Sequence, residues 1–376
     1  MQAARSARAT TELQRLNHLV ASFVATAAES SFSDVRALQR PPHGSLAYGA
    51  TGVVSVLMHQ AACAACPIAW SAAKRWMGQV TASRAHTLVG LPDEGNRHDR
   101  ASLWFGAPGI HYARALMALA DPGASSLRPV RAFVQHASVA LEPEQPADLV
   151  LGAAGNLIAV NLLRRLHSSA GLERLARRLA ERVAASIWAF ESNWSFAHGW
   201  PGMAFALLQE AQVSGQPVPG DLARRLRHLA SREVPQRSDV ARGMSASWCN
   251  GAAGQILLWV KAFELLRHGL FLERACTDAA RIPRRADRAN HMLCCGTAGW
   301  GYAFLGLERA NPGNGWYERA VDVCMHSVDA DPAFEHASGL LKGYSGLLYL
   351  AIDLLHDTPS RGFPFVEVIP TGPQRS

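Results

Sequence analysis

The chain has 376 residues, of which 49% are hydrophobic and 18% charged, with a formal net charge of +7. Those proportions exclude a disordered or fibrous protein. No uncharged apolar run reaches the ~20 residues that cross a bilayer, and seven cysteines without an export signal do not describe a disulfide framework.

Residues 1–40 carry arginines and small residues but no compact apolar core ahead of a cleavage site, so they are expected to form a helical cap. From there a single phrase recurs. Gly-x-x-Gly followed by an apolar stretch begins at Gly49, Gly106, Gly152, Gly199, Gly251, Gly296 and Gly343, at spacings of 57, 46, 47, 52, 45 and 47 residues. A lone GxxG means little, but seven at a nearly constant period define a repeat. The stretches that follow, such as NLIAVNLL after Gly155 and QILLWV after Gly254, suit buried helices. Between them lie amphipathic segments. In the clearest, Leu172, Leu175, Leu179, Val183 and Ile187 form one stripe with arginines on the opposite face.

Each repeat thus holds two helices, which predicts an all-α protein with one seven-repeat domain over residues 41–360 and a tail over 361–376. Seven helix pairs can stack as an open solenoid or close into an α/α toroid. Closure is favoured because the inner helices are apolar on nearly every face.

Residues just before each GxxG share one rim, so side chains far apart in sequence converge there. Cys249 precedes Gly251, and Cys294 and Cys295 precede Gly296; His198 precedes Gly199, and Asp148 lies four residues before Gly152. Three thiols at equivalent repeat positions point to a zinc site with a fourth position open, since zinc prefers sulfur and nitrogen in a tetrahedron. Any one of them alone reads better as a small buried hydrophobe; three at homologous repeat positions reverse that preference. Cys63 and Cys66 have a metal-like spacing but no matching second pair and are expected to pack, as are Cys276, Cys324, His43 and His111. A glycoside-processing α/α barrel needs two opposed carboxylates, and the rims offer Asp148 alone. Basic charge is nearly all arginine, the lysines being Lys74, Lys261 and Lys342. Its scatter fits solvated helix faces or a diffuse surface for an acidic peptide, and no aromatic-basic motif supports nucleic acid.

The phrases AHGWPG, SWCNGAAG and LCCGTAG, with the other GxxG repeats in register over roughly residues 40–355, resemble the lanthionine synthetase C family. The resemblance implies an α/α toroid with one zinc ion per chain. It also implies a cytoplasmic, lanthipeptide-forming cyclase that adds cysteine thiols to dehydroalanine or dehydrobutyrine, as in antibiotic biosynthesis. Cys249 and Cys294 match zinc ligands. Cys295 stands where most members have a histidine ligand, like a subgroup with a Cys-Cys-Gly motif and an all-cysteine site. His198 matches a proposed acid/base histidine and Asp148 an aspartate that assists it. Two positions depart from the pattern: Asn250 replaces a common tyrosine and Ser245 a frequent arginine, with Arg242 nearby but out of register. Seven repeats are expected to fill these 376 residues, so that dehydration falls to another protein. The partners implied are therefore a dehydrated precursor peptide with its leader and a separate dehydratase, in a complex able to sit at a membrane surface. Two alternatives are a non-catalytic peptide-holding scaffold and addition of a thiol such as glutathione to dehydrated proteins.

Overall fold

The computed structural model describes residues 2–30, 43–82, 100–121, 127–232, 245–284, 290–330, 339–356 and 362–367. Arg242 lies outside them. The described residues contain fourteen α-helices, in the order α1 (Gln2–Glu29), α2 (Ala50–Cys63), α3 (Pro67–Ala82), α4 (Ala107–Ala120), α5 (Arg128–Ala137), α6 (Ala153–Leu166), α7 (Ala170–Ser186), α8 (Trp200–Ser214), α9 (Gly220–Ala230), α10 (Ala252–Leu266), α11 (Gly269–Ala279), α12 (Thr297–Ala310), α13 (Trp316–Ala330) and α14 (Ser345–Leu355). None is long and apolar enough to cross a membrane.

Helices α2, α4, α6, α8, α10, α12 and α14 form the inner ring. Each touches the next, and α14 packs on α2, so the repeat closes into an α/α toroid. In α10 every residue from Ala252 to Ala262 is buried, which is why the sequence there is apolar on nearly every face, Gln255 and Lys261 being the polar exceptions. The outer helices are amphipathic. On α7, Leu172, Leu175, Ala176, Leu179 and Val183 face inward, and Ser169 Oγ accepts from the Leu172 backbone N–H to cap the first turn. Helix α1 lies against α14, α3 and α13, occupying the outer position that completes the seventh pair.

Six of the seven inner helices are capped by their first glycine, α14 instead following Tyr344, and the glycines sit hard against neighbouring chain. A Cβ on Gly251 would stand 2.6 Å from Ser247 N; one on Gly254 would overlap the Trp248 carbonyl oxygen and lie 2.5 Å from Phe196 Cβ. Only glycine lets neighbouring rim loops approach this closely.

Those loops are joined into a hoop. Ala47 N donates to Trp104 O (2.9 Å), Val150 N to Ala197 O (3.2 Å), Ala197 N to Cys249 O (3.0 Å), Cys249 N to Cys294 O (3.2 Å), Cys294 N to Leu341 O (3.0 Å) and Leu341 N to Ala47 O (3.0 Å). The remaining link, between the second and third repeats, is a side-chain bond from Ser102 Oγ to Val150 O (2.6 Å).

Residues 362–367, expected in a tail, are all buried and belong to the core. Phe363 stacks on Trp248 with ring centroids 4.7 Å apart, Phe365 meets Tyr112 of α4, and Val366 O accepts from Gln209 Nε2 of α8 (2.8 Å). The segment reaches inner helices around the ring and supports the loop that carries Cys249.

Candidate metal centre

The residues one and two places before each first glycine alternate in role. Those two places before, among them Cys249 and Cys294, are buried in the hoop; those one place before are more accessible and line the mouth. One side of the mouth carries Tyr48, Phe105 and Leu151, with Tyr48 stacked on Phe105 at 5.3 Å. The other carries His198, Asn250, Cys295 and Lys342.

The three predicted thiols come together. Cys295 Sγ lies 3.6 Å from Cys249 Sγ and 3.4 Å from Cys294 Sγ, and all three sulfurs fall within 4.8 Å of one another. They are the one cluster of metal-ligating side chains among the described residues. Tetrahedral zinc with Zn–S bonds of about 2.3 Å separates its sulfurs by about 3.8 Å, so the spacing fits that ion.

Electrostatics fit as well. Hydrogen bonds from Cys249 and then Cys294 outweigh burial and, with Lys342, hold the Cys295 thiol down at about 2. Cys249 is favoured as a thiolate by Cys294, but Cys295 and burial outweigh this and push it up; Cys294 is pushed well up by Cys249, Cys295 and burial. One thiolate is balanced by Lys342, whose Nζ donates to Cys295 Sγ at 2.9 Å. Ionising the other two sulfurs calls for further positive charge, which a divalent cation supplies.

The predicted acid/base pair also meets. His198 Nδ1 is 3.2 Å from Asp148 Oδ2, with the imidazole 44% exposed and the carboxylate 9%. Asp148 Oδ1 accepts from the backbone N–H groups of Val150 (2.9 Å) and Leu151 (2.6 Å), which fixes the carboxylate. Ser195 couples this pair to the sulfurs: its Oγ accepts from His198 N (3.0 Å) and donates to Cys249 O (2.9 Å).

At the departures from the family pattern, Asn250 Nδ2 reaches Cys249 Sγ at 3.6 Å, and the Ser245 carbonyl packs so close to Gly251 that a Cβ there would overlap it. The other cysteines lie elsewhere. Cys63 is at the opposite end of α2, 3.7 Å from His59 Nδ1; Cys66 is in the loop after it; Cys276 is on α11; buried Cys324 on α13 is pushed up to about 12 by desolvation. His43 lends its carbonyl to the Ala50 N–H, and His111 stacks on His136 at 4.1 Å.

Sequence reasoning missed Lys342. The signal was present, because Lys342 stands one place before Gly343, in the register of His198 and Cys295.

A model of lanthionine synthetase C-like proteins matches residues 94–368, more than half of the chain. The chain belongs to the lanthionine synthetase C-like family. Among curated relatives of this LanC-like chain is glutathione S-transferase LANCL1 of Danio rerio, 28% identical over 197 residues, which cover 48% of this chain and 47% of the relative. The chain thus spans about half the length of that relative. Among solved structures, nisin cyclase superposes with a TM-score of 0.67 at 15% identity, covering 90% of this chain and 94% of its own. That likeness is one of fold, and it matches the LanC-like toroid described above.

Proposed function

We propose that this chain is a zinc-dependent thioether-forming cyclase. It adds cysteine thiols of a dehydrated, ribosomally made peptide to dehydroalanine or dehydrobutyrine in the same peptide, giving lanthionine-type rings. The observation that carries this reading is the three-sulfur cluster of Cys249, Cys294 and Cys295 tied through Ser195 to the His198–Asp148 pair.

Those three cysteines would hold the ion, which when bound supplies positive charge that keeps a substrate sulfur in its nucleophilic thiolate form. The rest falls to the chain. As the sulfur–β-carbon bond forms, the alkene electron pair moves to the α-carbon as an enolate. His198 Nε2 gives that carbon a proton and is recharged by the proton released from the incoming thiol, so the addition is balanced. Asp148 accepts from Nδ1, which leaves Nε2 as the exchanging nitrogen. The apolar side of the mouth, Tyr48 and Phe105, offers a surface on which peptide flanking the reacting residues can rest. A separate dehydratase supplies the substrate, and the enzyme works in the cytoplasm.

Ring closure does not change peptide mass, so the test counts free thiols. A dehydrated peptide bearing cysteine is incubated with the zinc-loaded protein and then alkylated. Loss of alkylation with time supports the cyclase. The name of the Danio rerio relative favours one second reading, addition of glutathione to a dehydrated acceptor; the same assay with glutathione would then show a mass gain on the acceptor. Zinc retained with neither outcome leaves a peptide-holding scaffold.

A further inference from the structure

Lysine is scarce in this chain, and two of the three face carboxylates: Lys74 lies 3.8 Å from Asp121 and Lys261 3.2 Å from Glu264. Lys342 faces sulfur, with Nζ 2.9 Å from Cys295 Sγ. Its backbone N–H points to Ala47 O (3.4 Å), so the hoop itself delivers the head group to the mouth. The carboxylate identified at the mouth, Asp148, is committed to His198 and to two backbone N–H groups on another stretch of the ring.

Charge counting then gives Lys342 a task. Three thiolates around a divalent cation carry −1, and a fourth thiolate makes −2. A half-buried site resists that second charge unless a cation stands beside it. An ammonium is a compact point charge that meets a single sulfur, whereas the guanidinium used elsewhere in this chain is a flat fork suited to two oxygens.

We infer that Lys342 is a positioning residue whose ammonium, held against Cys295, is the counter-charge that lets the three-cysteine centre accept a fourth sulfur. It thereby sets the affinity of the site for a substrate thiol. The inference rests on the metal-centre reading proposed above.

The test uses the full chain loaded with cobalt(II), whose sulfur charge-transfer absorption reports coordinated thiolates, and 2-mercaptoethanol as the probe thiol. Wild type is titrated beside Lys342→Met, Lys342→Gln and Lys342→Arg, with circular dichroism reporting the fold. The expected result is an unchanged three-sulfur spectrum in every variant before thiol is added. The probe should then bind about tenfold more weakly to Lys342→Met and Lys342→Gln, the scale of one nearby unit charge, with partial recovery in Lys342→Arg, which restores the charge but not its point geometry. Should Lys342→Met fail to fold, Lys342→Gln carries the comparison. Wild-type thiol affinity in either uncharged variant overturns the inference. Wild type that takes up no cobalt at the three cysteines overturns the metal-centre reading instead.

Discussion

Asp353→Asn removes the charge from a buried pair that closes the ring. His59 of α2 and Asp353 of α14 lie 294 residues apart in sequence, yet Nε2 and Oδ1 are 2.8 Å apart. Tyr302 of α12 donates to the other carboxylate oxygen at 2.8 Å, and His59 stacks on Tyr349 at 3.9 Å. Burial alone would lower the imidazole, but the Asp353 charge and hydrogen bond overturn this and raise it from 6.5 to about 9. Between those values the folded chain keeps a proton that the unfolded chain has released. The contribution to stability is therefore whole below pH 6.5 and is lost as pH climbs through 9. That difference corresponds to about 3 kcal/mol, within the range of a buried pair broken from one side. In Asp353→Asn burial prevails and His59 stays neutral. Urea unfolding followed by tryptophan fluorescence should show a loss of about 4 kcal/mol at pH ~6, shrinking to about 1 kcal/mol at pH ~9.5. A gap between variant and wild type that does not narrow with rising pH would refute the reasoning.

Elemental analysis should give about one zinc per wild-type chain, and less in each of Cys249→Ala, Cys294→Ala and Cys295→Ala. Cys295→His should retain metal while slowing thioether formation, because replacing a thiolate removes negative charge and makes the centre hold a substrate sulfur more tightly; stopped-time alkylation on single-ring peptides measures it. His198→Asn should keep its zinc and lose on the order of a hundredfold or more in cyclisation rate. Gly254→Ala drives a methyl group into the Trp248 carbonyl and Phe196, and a thermal melt should register a loss of about 3 kcal/mol or more.

The repeat and its rim were legible because the requirement is local. Wherever two loops touch, glycine is needed, and it marks the spot. Cys249, Cys294, Cys295, His198 and Asp148 could be read off those marks, since their register to a glycine fixes their place in the ring. Lys342 obeys the same register but was passed over, because an isolated lysine says nothing until the sulfur beside it is seen. His59 and Asp353 carry no such mark: each sits deep within an apolar helix, and their pairing exists only once α14 meets α2. The segment 362–367 falls in the expected tail of 361–376 for a related reason. Its partners, Tyr112, Gln209, Trp248 and Arg309, come from four separate repeats, and no periodicity links them to it.

The hoop has a consequence for how such chains can vary. Among the described residues, the hydrogen bonds from Ala47 round to Leu341 and back join the residues two places before each motif. Motif spacings from 45 to 57 residues are accommodated in one closed ring. Insertions and deletions in the connections can therefore accumulate without altering the separation of the sulfurs, whereas a one-residue slip between a cysteine and its glycine would exchange a buried ligand for a mouth-lining one. Length is free to drift between repeats and held fixed within the few residues ahead of each glycine.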